Sequence, residues 1–124
     1  MGTVFHPITL ISAAGARETI EAVVDTGAAY TTFPRPILER LGVRPHRSVR
    51  LRLASGQVVE WELGRVQAEL EGLQEETLCV FGTSDAPPMI GAYTLEGFAL
   101  GVDPIGQRLV PREMFLLSVA LREL

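Results

Sequence analysis

Turn-forming residues interrupt this chain at short intervals, and that spacing restricts it to short secondary-structure elements. Its 124 residues include 12 glycines and 8 prolines, and neither residue type dominates any stretch. Glycine and proline residues spread along the chain in this way favour many short strands over long helices. Apolar residues make up 47% of the chain, which is enough to fill a compact interior. We therefore expect a single domain over residues 1–124.

Alternating apolar and polar residues between the turns predict a mainly β structure. Short helices are expected at Pro36–Leu41, ending at Gly42, and at Tyr93–Phe98. The predicted strands lie at 4–11, 18–25, 29–33, 50–54, 57–63, 66–70, 77–81, 100–102, 108–110 and 115–121. The fold class is therefore all-β with one or two short helices, arranged as a small closed barrel or a folded sheet.

Charge and rare residues exclude several kinds of chemistry. The net charge of −4 argues against nucleic acid as a partner, because phosphate binding needs a basic face. All 11 basic residues are arginine, so neither Schiff-base lysine chemistry nor a P-loop lysine is available. Cys79 is the only cysteine, which rules out an internal disulfide and favours a buried strand residue. Together with His6 and His46 it makes a poor metal set, so no metal and no cofactor are expected.

The two ends of the sequence carry no membrane signal. Residues 1–12 lack a basic leader and are interrupted by Pro7, and the apolar run 114–121 is too short to span a bilayer. We expect a cytoplasmic protein that does not associate with membranes.

One segment combines residues that carry chemistry. The apolar strand Ala22-Val23-Val24 ends directly in Asp25-Thr26-Gly27-Ala28. Glycine lets the backbone turn sharply, and the carboxylate is then expected at a buried loop tip, where its charge must be shared or hydrogen-bonded. The alternative is an Asx-type turn in which Asp25 caps its own backbone.

The order of motifs resembles that of the retropepsin-like aspartic proteases, bacterial members more than viral ones. Their pattern is an apolar strand, Asp-Thr-Gly-Ala, a flap hairpin, and an apolar pair plus glycine leading into a short helix. Here these parts are Val23–Ala28, the hairpin around Ser55-Gly56, and Met89-Ile90-Gly91 followed by Tyr93–Phe98. The match extends over about residues 4–110. A closed acid-protease barrel is the fold that this resemblance implies.

Two features depart from the viral pattern. An acidic residue after Asp-Thr-Gly-Ala and an arginine after the later glycine form a pair there, whereas this chain has Ala29 and Ala92. Because both partners are missing together, no charge is left without its counterpart. The flap has only Gly56 at its tip, which predicts a more restricted opening motion.

The resemblance implies peptide hydrolysis by a water held between two carboxylates. The chain has one Asp-Thr-Gly, since neither Asp85 nor Asp103 is followed by that motif. Two-fold symmetry would supply the second carboxylate, so a homodimer acting on peptide or protein substrates is implied. The implied catalytic residues are Asp25, Thr26 and Gly27, and the implied substrate-binding residues are Ala28, Tyr30, Ser55, Gly56 and Ile90.

Several alternatives stay open. Tyr30 and Ile90 could equally be core residues, and Trp61 is more typical of a core or an interface than of ligand binding. The apolar segment Phe115–Leu121 could join the two subunits or be an ordinary barrel strand. A catalytically silent peptide-binding or dimerisation domain is the main alternative function. An unrelated barrel with a simple turn at Asp25 is the second.

Overall fold

The computed structural model describes residues 3–114, and this part of the chain is mainly β. In chain order its elements are β1 Phe5–Ile11, β2 Arg17–Val24, β3 Thr31–Pro34, α1 Arg35–Arg40, β4 Pro45–Arg52, β5 Val58–Leu70, β6 Leu73–Gly82, β7 Met89–Ile90, α2 Ala92–Gly97, β8 Leu100–Asp103 and β9 Arg108–Pro111. The predicted class is confirmed. The predicted strand Phe115–Leu121 lies outside the described residues.

Seven of the strands form one sheet that returns to its own beginning. Their order is β1-β2-β7-β3-β6-β5-β4, and β1 also pairs with β5. Strand β5 allows this because residues 58–64 pair with β4 and residues 67–69 pair with β1 along one edge. Its other edge pairs with β6. The additional pairing of β1 with β5 closes the strands into a ring, as expected for a small barrel.

The hairpin formed by strands β5 and β6 is longer than the sequence pattern predicts. We expected a break between 57–63 and 66–70, yet β5 runs through Gly64 without interruption. Gly64 is needed there because a Cβ would lie 2.9 Å from Phe81 Cε1 and 3.0 Å from the Arg44 carbonyl oxygen. Strand β6 starts at Leu73, whereas the predicted strand starts at residue 77. Pairing with β5 extends β6 through exposed residues that show no apolar–polar alternation.

Strand β4 also differs from its prediction. It covers Pro45–Arg52, whereas the alternation of arginine and leucine suggested residues 50–54. A register shift between Pro45 and Arg47 accommodates the proline. Because β4 pairs only with β5 in the described chain, its outer edge tolerates a proline and exposed polar residues.

Helix α1 ends through a left-handed glycine, as predicted. Gly42 has a φ of +76°. Its N–H donates to the Glu39 carbonyl over 3.0 Å, and the Val43 N–H donates to the Leu38 carbonyl over 2.9 Å. This pair of bonds is the Schellman motif, which satisfies the last carbonyls of a helix.

The buried side chains form two clusters. The larger one fills the ring of strands and includes Ile8, Leu10, Phe33 and Ile90. The smaller one contains Leu63, Leu78 and Val80, with half-buried Tyr30, Val49, Leu51 and Trp61 packed against it. Trp61 therefore lies in an apolar cluster, in agreement with its predicted core role.

Cys79 lies in β6 with no exposed surface, which confirms its prediction as a buried strand residue. Burial raises the pKa of the thiol from about 9 to about 12, although a hydrogen bond with the Gly64 backbone opposes the shift. Between these values the unfolded chain releases its proton while the folded chain retains it, so stability falls as pH rises.

We therefore expect the free energy of unfolding to decline from about pH 9 upward, as the unfolded thiol ionises. Urea unfolding at pH 8 and pH 10.5 measures this decline. The Cys79→Ala variant is the control, and its decline should be smaller. Equal declines in both proteins would contradict the assignment to Cys79.

Candidate active site

The segment that carries the predicted catalytic residue leaves β2 in a tight turn. The end of β2 lies parallel to β7, with Val24 opposite Ile90. The Asp25 N–H donates to the Ile90 carbonyl over 2.9 Å, and the Ala28 N–H donates to the Asp25 carbonyl over 3.2 Å. We call residues 25–30 the Asp25 loop. Its first residue is thus held by a strand that comes 65 positions later in the chain.

The Asp25 carboxylate accepts a hydrogen bond inside this turn. The Gly27 N–H donates to Oδ1 over 2.9 Å. This is the Asx-type geometry that the sequence left open, and it orients the carboxylate. The bond occupies one oxygen, and among residues 3–114 no hydrogen bond reaches Oδ2. The carboxylate therefore has a fixed direction and an oxygen available to bind something else.

The tip of the Asp25 loop is exposed in the single chain. The expectation of a buried loop tip was therefore wrong for the single chain. Asp25, Thr26 and Gly27 are all exposed, and Ala28 is half-buried. The reason is that the turn leaves the ring of strands at its edge, and nothing among residues 3–114 covers it. Local sequence predicts the turn, whereas coverage depends on what packs over it.

Backbone carbonyls of the loop cap the start of helix α2. The Ala92 N–H donates to the Ala28 carbonyl over 2.8 Å, and the Tyr93 N–H donates to the Ala29 carbonyl over 2.9 Å. Helix α2 has no side-chain cap, so these bonds satisfy N–H groups that the helix leaves unpaired. The loop and the helix therefore hold each other.

Gly91 allows this close approach. A Cβ at Gly91 would lie 2.5 Å from both the carbonyl carbon and the oxygen of Tyr30, and 3.0 Å from the Ala28 oxygen. Backbone atoms cannot move aside as a flexible side chain can. The glycine of the Met89-Ile90-Gly91 motif is thus explained by packing against the Asp25 loop.

The two predicted pocket residues, Tyr30 and Ile90, have different surroundings in the structure. Tyr30 is half-buried on the smaller apolar cluster, and its ring centroid lies 6.2 Å from that of Tyr93. The Ile90 side chain has no exposed surface and belongs to the main core, which was its alternative. Ile90 contacts the loop through its carbonyl, and substrate binding by either side chain stays a prediction.

The hairpin between β4 and β5 has the predicted turn. Gly56 has a φ of +90°, and its N–H donates to the Leu53 carbonyl over 2.8 Å. Arg52 Nη1 donates to the Gly56 carbonyl over 2.9 Å, and the Gln57 N–H donates to Ser55 Oγ over 3.3 Å. In residues 3–114 no hydrogen bond joins this tip to the Asp25 loop. Its role in substrate binding is still a prediction.

The other aspartates have local structural partners. Thr83 Oγ1 donates to Asp85 Oδ1 over 2.8 Å. Backbone N–H groups of Gly106 and Ile105, aided by Arg108, hold the pKa of the Asp103 carboxyl below its usual value. Both carboxylates lie in local turns, and neither belongs to an Asp-Thr-Gly segment that is hydrogen-bonded to β7 and α2 as the Asp25 loop is.

Both histidines lie on strands. His46 is exposed on β4, whereas His6 is half-buried on β1 with Nε2 2.9 Å from Glu71 Oε2. Within the described range, no three His, Cys, Asp or Glu residues cluster closely enough to hold a metal ion.

A surface cavity of about 490 Å³ next to Arg35 and Phe81 contains none of the predicted site residues. The oriented carboxylate lies in the Asp25 loop, so this loop is the candidate site.

No helix in residues 3–114 has the length and apolar character that crossing a membrane requires.

The ring of strands and the turn at Asp25 together define an acid-protease fold. The chain is similar to the crystal structure of the retroviral protease-like domain of Ddi1 from Leishmania major. The TM-score is 0.59 at 18% sequence identity, covering 92% of this chain and 91% of that one. At this identity the similarity establishes the fold, which is retropepsin-like.

A family model described as aspartyl protease matches residues 11–87. That range is more than half of the chain and contains the Asp25 loop and the Ser55-Gly56 hairpin. The chain therefore belongs to the aspartyl protease family. A comparison with curated protein sequences found no match.

Proposed function

We propose that this chain is an aspartic endopeptidase that works as a homodimer, with Asp25 of each subunit forming the catalytic dyad. The supporting observation is the Asp25 carboxylate, which is oriented by Gly27, open at Oδ2 and exposed on an anchored turn. A reaction that needs two carboxylates obtains the second from an identical loop across a two-fold axis. Covering of the loop by the second subunit would also provide the burial that the single chain lacks.

The proposed chemistry has two steps, and each step transfers two protons. The dyad holds one proton and one water molecule between its two carboxyl groups. One carboxylate takes a proton from the water while the oxygen attacks the peptide carbonyl, and the other carboxylic acid protonates the carbonyl oxygen. In the second step the carboxyl group that took the water proton passes it to the amide nitrogen. The other carboxylate takes a proton from one hydroxyl of the tetrahedral intermediate, and the C–N bond breaks. The products are a carboxylic acid and an amine, and the dyad again holds one proton.

The remaining residues have proposed roles around this centre. Thr26 hydrogen-bonds to the partner loop, Gly27 offers its carbonyl to the substrate backbone, and Ala28 lines the floor of the cleft. Tyr30 forms part of a pocket wall. The Ser55-Gly56 hairpin closes over an extended peptide, which pairs with it as an added strand. We also propose that residues 1–124 are one domain, that Phe115–Leu121 contributes to the subunit interface, and that the protein is cytoplasmic.

Hydrolysis of denatured casein and a mixed peptide library at acidic pH tests the activity. We expect cleavage that pepstatin suppresses, because pepstatin imitates the tetrahedral intermediate. Mass spectrometry of the products identifies the cut bonds. A folded dimer that binds the library peptides without cutting them would support the silent binding domain instead.

The dimer itself is tested by dilution. Specific activity should fall as the protein concentration drops below the dimer dissociation constant, and sedimentation should show the same transition. A strict monomer at high micromolar concentration that retains full specific activity would contradict the shared dyad.

A further inference from the structure

Three buried threonine hydroxyls meet behind the Asp25 loop, and the chemistry proposed above does not use them. Thr31 lies on β3, Thr77 on β6 and Thr94 on α2, and none is more than 2% exposed. Thr94 Oγ1 lies 2.5 Å from Thr31 Oγ1 and 2.7 Å from Thr77 Oγ1. We call these residues the threonine chain.

Counting donors and acceptors gives the threonine chain a single direction. Each hydroxyl has one proton to donate. The Gly91 N–H donates to Thr31 Oγ1 over 3.1 Å, and at the far end Thr77 Oγ1 donates to the Leu78 carbonyl over 3.4 Å. Thr94 must then donate to Thr77, and Thr31 must donate to Thr94. The reverse direction would leave the Thr31 proton without an acceptor among the described residues, in a site where every buried side-chain polar atom is paired.

The near end of the threonine chain reaches the contacts that hold the loop. Gly91 is the N-cap residue of α2, and the next two N–H groups donate to the carbonyls of Ala28 and Ala29. The residue before it, Ile90, accepts the hydrogen bond from the Asp25 N–H. Because Thr31 directly follows the loop, one hydroxyl network connects the exit of the loop to the helix that caps it.

No charged pair adds to the hydroxyl network at the contact between the loop and α2. The residues flanking the contact are Ala29 and Ala92, whose side chains have no polar atoms. In residues 3–114, the side-chain hydrogen bond between β3 and α2 is the one that joins Thr31 to Thr94. Thr94 is the middle member, so its hydroxyl is both donor and acceptor, and its loss would break the network on both sides.

We propose that Thr94 is a positioning residue for the dyad: through Thr31 and Gly91 it sets where the Asp25 loop lies relative to α2. The inference rests on the proposed aspartic peptidase function. Two loops that must meet across a symmetry axis double any displacement of one of them. Misplacement of reacting groups by about 1 Å is enough to cost up to roughly 100-fold in rate.

The test compares Thr94→Val, which keeps the shape and removes the hydroxyl, with Thr94→Ser, which keeps the hydroxyl. We expect Thr94→Val to lower kcat roughly 10- to 100-fold with KM changed less than about twofold, and Thr94→Ser to restore kcat. Assays run well below the melting temperature of each variant separate this effect from unfolding. Thr19→Val is the matched control, because it removes a hydroxyl bonded to Thr9 Oγ1 over 2.8 Å on the exposed β1–β2 hairpin. It should leave kcat unchanged.

A second readout does not depend on activity. Amide hydrogen exchange at Gly91, Ala92 and Tyr93 should become faster in Thr94→Val and stay at the wild-type rate in Thr94→Ser and Thr19→Val. If the wild type cuts no peptide, the proposed function fails and exchange alone decides this inference. Unchanged exchange in Thr94→Val, or equal kcat in Thr94→Val and wild type, would overturn it. If Thr94→Val does not fold, Thr77→Val removes the far acceptor and should give the same two changes in weaker form.

Discussion

Replacing Asp25 with asparagine is expected to lower peptide hydrolysis by about 10³-fold while leaving the fold and the dimer intact. Asparagine has the same shape, and its Oδ1 can still accept the 2.9 Å hydrogen bond from the Gly27 N–H. The asparagine amide cannot take a proton from water or donate one as a carboxylic acid does, so the attack of water on the peptide carbonyl loses its general acid–base catalysis. Initial rates on the best peptide from the library, with circular dichroism and sedimentation alongside, measure the effect.

Asp85→Asn is the matched control for this substitution. Asp85 is exposed and its carboxylate accepts a hydrogen bond from Thr83 in a local turn, so activity should stay within about twofold. If Asp25→Asn and wild type cleave at equal rates, Asp25 is not catalytic and the proposed function fails.

Mixing subunits distinguishes a shared dyad from a site within one chain. A mixed dimer of wild type and Asp25→Asn holds only one catalytic carboxylate. Activity per wild-type subunit should therefore fall as the variant is added in excess, because most wild-type chains then pair with variant chains. Activity that is independent of the added variant would show that each chain works alone.

Replacing Gly91 with alanine is expected to lower the free energy of unfolding by about 3 kcal/mol or more, or to prevent folding. The new Cβ would lie 2.5 Å from the Tyr30 carbonyl group, and the atoms in conflict are backbone rather than a flexible side chain. The φ of Gly91 is −102°, which alanine adopts without strain, so the cost is steric. Relief of the conflict would push the Asp25 loop away from α2, and activity should be lost in any molecules that fold.

Gly97→Ala is the control on the same helix. Nothing lies within 4 Å of a Cβ at Gly97, and alanine is the better helix former by up to about 1 kcal/mol. Urea unfolding should find this variant as stable as the wild type or more stable. Equal stability of Gly91→Ala and Gly97→Ala would contradict the close packing between the loop and α2.

The strand ends show where prediction from sequence succeeds and where it fails. The first hairpin was predicted within one residue at each end because its apolar alternation and its turn are local signals. The sequence pattern predicts two segments, 57–63 and 66–70, whereas β5 is one strand that continues through Gly64. The close approach of Phe81 makes glycine necessary there, and no pattern within β5 itself contains that information.

The candidate site shows the same division. Asp25, Thr26 and Gly27 are predicted site residues because a carboxylate, a hydroxyl and a glycine at the end of an apolar strand are adjacent in sequence. The threonine chain was not found, since Thr31 and Thr94 are 63 positions apart and each looks like an ordinary residue of its element. One retrospective signal exists: Thr94 stands beside Leu95 on the buried side of a short helix, where an apolar residue would be expected.

By itself the sequence determined the mainly β class, the turns at Gly42 and Gly56, and the motif that carries Asp25. These depend on alternation, turn chemistry and neighbouring side chains, which act over a few residues. Tertiary structure alone decided that β1 closes the ring against β5, that the Asp25 turn is exposed, and that Gly91 and the threonine chain hold it. Those outcomes depend on which faces and carbonyls meet across distant segments, and burial and hydrogen bonding between such segments are set only when the chain packs.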